Sequence, residues 1–300
     1  MNTSAPLYLA VTADVDPDAN RAVEGREKPI TPGMEGDVRL SGVVDGLRRL
    51  ADLLLEGDWP ATLFWEGRTL EVVARRKPDL LNRLRKSPLL EHGCHGMYHR
   101  DFAGEDTDVP LDAEATRGAL REACAAYREH LGGEPDLFRA PYCRLTDELI
   151  DALWELEFRC DASRTAVGPG RDLLSPYPLR REGGRTLWEA PLCRWQGPGG
   201  RAMDAYLWPL LEGKRGPDDY AHLLDEVAEA CPGGLLQLAL HPWHLCVGQD
   251  GAEWPGERRR CSLERVEAVL RAAAGRGDVE FCTLGGYLET HRRGPDGAEA

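Results

Sequence analysis

Residues 89–99 read Leu-Leu-Glu-His-Gly-Cys-His-Gly-Met-Tyr-His and hold three of the eight histidines of the chain. The apolar start of this stretch predicts a strand, which runs into His95 and His99. On a helical turn, a spacing of four residues would put both imidazoles on one face. Two imidazoles fixed on one face make half of a tetrahedral zinc-type site. The spacing is also compatible with one surface and one packed histidine, so a third ligand, an acid and a base have to come from elsewhere.

Strand-like and helix-like segments alternate along the rest of the chain. Apolar runs predict strands at 7–12, 61–65, 89–92, 137–141, 158–161, 186–193, 235–240 and 279–283. Helical spacing predicts helices at 43–55, 70–84 (interrupted at Pro78), 112–131, 146–156, 218–230 and 262–274. This alternation favours a parallel α/β fold of the barrel type, for which roughly 250 residues is typical.

The chain has 300 residues and no internal repeat or linker that would divide it. We therefore expect a single domain over 1–300, with a core of about 7–290 and a flexible tail at 294–300. The segment 17–42 is polar and broken by proline and glycine, which predicts a long inserted loop. Such a loop would flank the site and could help to set its specificity.

Composition excludes several classes of partner. The formal net charge is −14, and nucleic acids and anionic membranes are bound by an excess of Lys and Arg. No apolar window approaches the ~20 residues that a membrane span needs. Residues 1–6 lack the features of a signal peptide, and the nine cysteines include no Cys-x-x-Cys pair, which is typical of a reducing compartment. We therefore expect a cytoplasmic protein that binds neither nucleic acid nor membrane.

Residues capable of chemistry follow the predicted strands. They lie at or just beyond the carboxyl ends of five of them: Asp14, Asp16, His95, His99, Arg139, Tyr142, Asp161 and His241. In a parallel barrel these ends converge on one face. The sequence therefore predicts one shared site.

The order of these residues resembles the polysaccharide deacetylase family (NodB homology, carbohydrate esterase family 4), over roughly 7–290. Residues 12–16, Thr-Ala-Asp-Val-Asp, are similar to the family's Thr-Phe-Asp-Asp-Gly, in an Asp-x-Asp variant. Residues 95–99 resemble its His-Ser/Thr-x-x-His, and 139–142 match its Arg-x-Pro-Tyr in full. Asp161 and His241 stand where the fourth and fifth motifs end. The resemblance implies a distorted, incomplete (β/α) barrel.

The resemblance also implies a role for each matching residue. Asp16, His95 and His99 would bind one divalent metal ion, with Zn²⁺ favoured and Co²⁺ or Ni²⁺ also suited to these ligands. The expected roles of the other residues are general base for Asp14, alignment of that base for Arg139, general acid for His241, orientation of the acid for Asp161, and a backbone N–H for the oxyanion at Tyr142.

Several positions depart from the family pattern. Asp14 and Asp16 are separated by Val15, so their roles as base and ligand could be exchanged, or the pair could cap a turn before Pro17. His92 occupies an aliphatic position of the family pattern and is interpreted as a packed histidine. Ala239 replaces a leucine that lines the acyl pocket, which predicts a roomier or differently lined pocket.

Three further residues near the motifs leave an alternative open. Cys94 could compete as a soft ligand. Trp243 could stack on a sugar ring or simply pack, and a rim or structural role is expected for His244.

We expect a metal-dependent hydrolase of C–N amide bonds that removes an N-acyl group from an amino sugar or a related small molecule. One alternative is an allantoinase or cyclic-imide hydrolase, because the same motifs serve the same bond chemistry. A second is an inactive binding module that has kept the fold. The nearly complete set of ligands, base and acid argues against that second alternative.

Overall fold

The computed structural model describes residues 5–17, 41–105, 109–197 and 202–291. The predicted loop at 17–42 and the tail at 294–300 fall almost entirely outside these ranges, so they stay predictions, as do the domain boundaries. Among the residues described, no helix is long and apolar enough to cross a membrane.

A nine-stranded sheet forms the centre of the fold. Its order is β11-β1-β2-β3-β4-β5-β8-β7, with β12 also paired to β1. The strands are β1 (Leu7–Val15), β2 (Ala61–Trp65), β3 (Leu90–Cys94), β4 (Leu137–Phe138), β5 (Cys160–Asp161), β7 (Tyr177–Glu182), β8 (Arg185–Glu189), β11 (Leu235–Leu240) and β12 (Val279–Phe281). Every pair is parallel except β7 with β8, and the sheet curls without closing. The expected distorted, incomplete barrel is confirmed.

Helices cover the outer face of this sheet. They are α1 (Ser41–Glu56), α2 (Gly67–Arg76), α3 (Pro78–Lys86), α4 (Ala113–His130), α5 (Asp147–Glu155), α6 (Trp208–Leu211), α7 (Pro217–Ala230), α8 (Gly256–Ala274) and α9 (Leu284–His291). Pro78 opens α3, as the predicted interruption requires. Asp112 caps α4 by accepting from the Ala115 N–H at 2.8 Å, and Thr146 caps α5 in the same way.

Side chains along β1 point alternately to the hydrophobic core and to the candidate site. Leu9, Val11, Ala13 and Val15 belong to the apolar cluster between the sheet and its helices. The alternate residues Thr12 and Asp14, followed by Asp16, face the interior of the half-barrel. An Asp-x-Asp spacing therefore puts both carboxylates on the inner face, whereas adjacent aspartates would point to opposite faces.

Two local predictions differ from the structure. Residues 95–99 form a loop and not a helical turn, because Gly96 and His99 have φ values of 74° and 52° in the left-handed region. Glycine suits the first of these positions, where the family has Ser or Thr.

The predicted strand at 186–193 is two strands. It breaks at Ala190-Pro191, after which β9 (Leu192–Gln196) enters a separate sheet with β6 (Thr165–Gly168) and β10 (Ala202–Asp204). Proline cannot donate to a strand ladder, which is the physical reason for the break.

Helix α1 approaches the turn after β11 so closely that only glycine fits. A Cβ at Gly46 would lie 1.8 Å from the carbonyl oxygen of Pro242, which is backbone and cannot rotate away. We expect Gly46→Ala to lower the free energy of unfolding by roughly 2–4 kcal/mol, because one helix must move off the other element. Denaturant unfolding followed by circular dichroism measures this change.

Gly118 provides the matched control, because it lies inside α4 with nothing within 4 Å of its Cβ position. Gly118→Ala should raise stability by about 0.5–1 kcal/mol through helix propensity alone. If both substitutions stabilised the protein, the close approach of α1 to Pro242 would be refuted.

Candidate metal centre and active site

Three buried side chains meet at the carboxyl edge of the sheet. Asp16 follows β1, while His95 and His99 lie in the loop after β3. Each offers a ligand atom, and these atoms lie within 4.8 Å of one another. The His99 Nε2 and Asp16 Oδ2 atoms are 3.2 Å apart. The structure thus brings together the three predicted ligands, although they are 79 and 83 residues apart in the chain (95 − 16 and 99 − 16).

The hydrogen bonds of this cluster leave two atoms available to a cation. His95 Nδ1 lies 2.8 Å from the Arg139 carbonyl oxygen, which can only accept, so this nitrogen carries the proton. His95 Nε2 then has a lone pair and no hydrogen-bond partner, and Asp16 Oδ2 has only the His99 Nε2 atom at 3.2 Å, in a geometry that does not make a hydrogen bond. Buried polar atoms are rarely left unsatisfied. Two imidazoles and one carboxylate are a donor set that suits Zn²⁺ and similar ions, so the residues fit a divalent metal.

The protonation states also suit metal binding. Burial lowers the pKa of His95, and the nearby charges of Asp14 and Asp16 only partly oppose it, so the imidazole is neutral. Burial alone would raise the pKa of Asp16, but His241 and His99 outweigh it and the net shift is downward. A neutral imidazole and an ionised carboxylate are the forms that bind metal ions.

Arg139 is a buried cation with four hydrogen-bond acceptors. Its Nε donates to the Ala162 carbonyl at 2.9 Å and its Nη1 to Asp14 Oδ1 at 2.9 Å. Its Nη2 donates to Thr12 Oγ1 at 3.1 Å and to Gln237 Oε1 at 2.8 Å. The guanidinium is therefore held rigidly, and it pairs with Asp14 as the sequence predicted.

Asp14 is an ionised carboxylate beside the ligand cluster. Burial would raise its pKa, but Arg139, His95 and His241 outweigh burial, so the pKa is lowered. Both of its oxygens already accept a hydrogen bond, from Arg139 and from the Tyr206 hydroxyl, whereas Asp16 has an oxygen without a partner. This difference favours Asp16 as ligand and Asp14 as base over the exchanged assignment.

His241 lies where the site opens to solvent. Its side chain is 21% exposed, and its Nε2 lies 3.7 Å from Asp16 Oδ2. It borders a cleft of about 290 Å³ that Tyr206, Trp208, Asp204 and Thr165 also line. A partly exposed imidazole next to a buried cluster is accessible to a substrate, as a general acid must be.

Asp161 forms its hydrogen bonds away from His241. Its Oδ1 accepts from the Ser163 hydroxyl at 2.6 Å and its Oδ2 from the Ser163 N–H at 3.1 Å. Its neighbour in the sheet is Glu189, and both carboxyls are fully buried. None of its hydrogen bonds within the described residues reaches His241, so the expected orienting role stays a prediction.

Tyr142 lies beside the ligand cluster. It sits in a short 3-10 turn, Pro141–Cys143, with φ 61°, and Cys143 has φ 57°. The Tyr142 ring packs edge-on against His99 with centroids 4.6 Å apart. Two successive left-handed residues are uncommon outside functional sites.

Two residues that sequence analysis considered have structural partners. His92 accepts from Trp65 Nε1 at 3.0 Å, and burial lowers its pKa to about 4, which confirms a packed histidine. His244 pairs with Glu212 at 2.8 Å and is buried. Cys94 is buried outside the metal-capable group, and burial raises its pKa.

Sequence analysis missed three contacts of the site. Gln237 holds Arg139, Tyr206 holds Asp14, and Trp243 donates from Nε1 to Asp16 Oδ1 at 2.9 Å. Trp243 is 2% exposed, so it cannot serve as a stacking surface for a sugar. Of these three residues, the sequence pointed only to Trp243, which lies next to the fifth motif. Its hydrogen bond to Asp16 joins residues 227 positions apart, so no local pattern indicates it.

The expected change of pocket at Ala239 stays a prediction. Ala239 is fully buried, and its backbone pairs with the segment around Tyr206 on the free edge of β11. Tyr206 itself lines the cleft beside His241.

Comparisons with known proteins bear on the family and the fold. Residues 41–160 match the sequence profile of the polysaccharide deacetylase family. A search of curated proteins finds no match.

Solved structures share the fold over nearly the whole chain. A protein from Mycobacterium smegmatis that carries the name of a polysaccharide deacetylase is 20% identical, with a TM-score of 0.65, over 97% of this chain and 92% of its own. PuuE allantoinase is 17% identical, with a TM-score of 0.65, over 97% and 93%. A CE4 family pseudoenzyme from Bacillus anthracis is 13% identical, with a TM-score of 0.52, over 95% and 66%.

The indole of Trp243 should tune the affinity of the cluster for metal. Trp243→Phe removes the hydrogen bond to Asp16 and should weaken Zn²⁺ binding about 10- to 100-fold, as loss of a ligand's supporting partner does. Competition with a chelating dye measures the change. Trp254→Phe is the control, because Trp254 packs near the same His244 ring and has no hydrogen bond to Asp16. Equal affinity in the two variants would contradict this role for Trp243.

The Asp161–Glu189 pair should make stability depend on pH. Burial raises the pKa of Glu189 well above its ordinary value of 4.5, and the charge of Asp161 adds to the effect. Because the pKa is raised in the folded state, the folded protein binds more protons than the unfolded chain. The protonated pair therefore contributes stability that is fully present below pH 4.5 and is lost as the pH rises through the pKa of Glu189 in the folded protein.

Glu189→Gln mimics the protonated acid and should flatten this dependence. Between about pH 5 and 8, the free energy of unfolding of the parent should fall by at least about 1 kcal/mol more than that of the variant. Urea unfolding at several pH values measures this difference. Glu182→Gln, at an exposed position on β7, should leave the parent profile unchanged. Parallel profiles for the parent and Glu189→Gln would show that the pair carries no shared proton.

Proposed function

Because the chain belongs to the polysaccharide deacetylase family, we propose that it is a metal-dependent hydrolase of C–N amide bonds that removes N-acyl groups from an amino sugar or a related small molecule. The observation that carries this proposal is the cluster of Asp16, His95 and His99, with two partnerless ligand atoms, beside the ionised Asp14. A binding module would have no use for a buried base aligned next to a metal site.

The chemistry divides between the metal site and the protein's own groups. A divalent cation bound to Asp16, His95 and His99 would supply a Lewis acid for the amide carbonyl and make water more acidic. Asp14 takes a proton from the attacking water, and Arg139 keeps Asp14 ionised and anchors its Oδ1. His241 donates a proton to the leaving nitrogen as the C–N bond breaks, so the products are a carboxylic acid and an amine.

The cleft supports a small substrate. Its volume of about 290 Å³ lies just below the range for drug-sized ligands, roughly 300–1,000 Å³. Its lining mixes hydrogen-bonding groups, including Asp204, Thr165 and Gln249, with the ring of Trp208. Hydroxyl-rich rings with one apolar face match such a lining, which favours an amino sugar as the amine part of the substrate.

Substitutions at the base and at a ligand should have different effects on metal content. Asp14→Asn should reduce turnover by at least about 10³-fold while the protein keeps its metal, because the amide cannot accept the proton. His95→Ala should lose both turnover and stoichiometric metal. Hydrolysis is measured with a panel of N-acetylated amino sugars and cyclic imides, and metal content by mass spectrometry.

The panel also separates the candidate activities. Turnover of cyclic imides alone would replace deacylation by ring opening. Stoichiometric metal without turnover of any amide would instead support an inactive binding module. An active, metal-loaded His95→Ala protein would refute the proposed site.

A further inference from the structure

Tyr206 joins the two groups that would move protons in the proposed reaction. Its hydroxyl oxygen lies 2.7 Å from Asp14 Oδ2, and it lies 3.2 and 3.1 Å from the two ring nitrogens of His241. The same side chain lines the cleft. None of the sequence motifs includes this residue, and neither the metal site nor the mechanism above requires it.

Backbone pairing fixes where the Tyr206 ring enters. Leu207 N–H donates to the Ala239 carbonyl at 2.7 Å, and Ala239 N–H donates to the Ala205 carbonyl at 3.2 Å. Tyr206 and Ala239 thus form an isolated parallel bridge on the free edge of β11. Bridge partners point to the same face of a sheet, so the small Ala239 leaves room for the tyrosine ring beside it.

The turn before Tyr206 is also held. Asp204 Oδ1 accepts from the Tyr206 N–H at 2.9 Å. Tyr220, buried in helix α7, donates its hydroxyl to the Tyr206 carbonyl at 3.4 Å. The hydroxyl of Tyr206 therefore reaches Asp14 from a segment that is tied to the sheet and to a helix, and it is not carried by a free loop.

The contact with Asp14 has one partner atom, whereas the contact with His241 is shared between two. The phenol donates to Asp14 Oδ2 at 2.7 Å, since a carboxylate paired with a guanidinium accepts. The hydroxyl oxygen is almost equally distant from both imidazole nitrogens, so the distances single out neither nitrogen as its partner. A hydrogen bond to either nitrogen would require alignment with the lone pair or N–H of that nitrogen.

We propose that Tyr206 is a positioning residue for Asp14, holding the carboxylate plane so that a remaining lone pair of Oδ2 points to the attacking water. Arg139 holds Oδ1 and Tyr206 holds Oδ2, so two donors on different oxygens prevent rotation about the last side-chain bond. With only Arg139 in place, the carboxylate is free to turn about its single anchored oxygen. The inference rests on the proposed hydrolase function, since it assigns Asp14 the role of base.

Tyr206→Phe tests this role, because it keeps the ring and removes only the hydroxyl. We expect kcat to fall about 10- to 100-fold, the cost of a slightly misplaced catalytic group, while KM changes less than about threefold. Zinc content should equal that of the parent protein, because the hydrogen bonds of the Tyr206 hydroxyl go to Asp14 and His241 and not to the three proposed ligands. Tyr287→Phe is the control, since it also removes a buried hydroxyl, bonded to the Gly233 carbonyl far from the cleft, and it should keep the parent kcat.

Two probe amides separate the base from the acid. N-Acetylglucosamine has a poor leaving amine, and p-nitroacetanilide has a good one that needs little protonation. If Tyr206 positions the base, the loss in kcat should be similar for both probes. A loss confined to N-acetylglucosamine would overturn the inference, because the hydroxyl would then serve His241.

The remaining outcomes are also decisive. A kcat equal to that of the parent, or a loss accompanied by reduced zinc content, would overturn the positioning role while the proposed function stands. A zinc-loaded parent protein without turnover of any amide would instead refute the proposed function, and this inference with it.

Discussion

The site depends on one buried ion pair, Arg139 with Asp14. Neither charge is accessible to solvent, and a buried charge left without its partner costs roughly 3–5 kcal/mol. Arg139 is satisfied by Thr12 on β1, Gln237 on β11 and the Ala162 carbonyl after β5. One guanidinium thus ties together strands from both ends of the chain, and a sheet in another register would leave the charge unpaired.

The same residue links the base to the metal cluster. The Arg139 side chain orients Asp14, while its carbonyl accepts from His95 Nδ1 and leaves Nε2 as the ligand atom. A shift of the strand end at β4 would therefore disturb the proposed base and the proposed ligand together. Trp243, in the turn after β11, supports the proposed ligand Asp16 by donating a hydrogen bond to its Oδ1.

Much of this arrangement could be predicted from local patterns. Alternating strands and helices indicated a parallel barrel, and Pro78 correctly marked the boundary between two helices. The placement of polar residues after strands predicted which side chains would meet. One break was missed: the predicted strand at 186–193 contains Pro191, and the structure divides it there into two strands that belong to different sheets.

The sequence by itself determined the inward direction of Asp14 and Asp16, because the period of a strand is local and a spacing of two puts both on one face. Which donor meets each carboxylate was decided only by the tertiary structure. Tyr206 reaches Asp14 across 192 residues, and Asp161 turns to Ser163 and Glu189 and not to His241. Such pairings depend on the order and curl of the strands, which bring distant segments into contact and which no short stretch of the chain encodes.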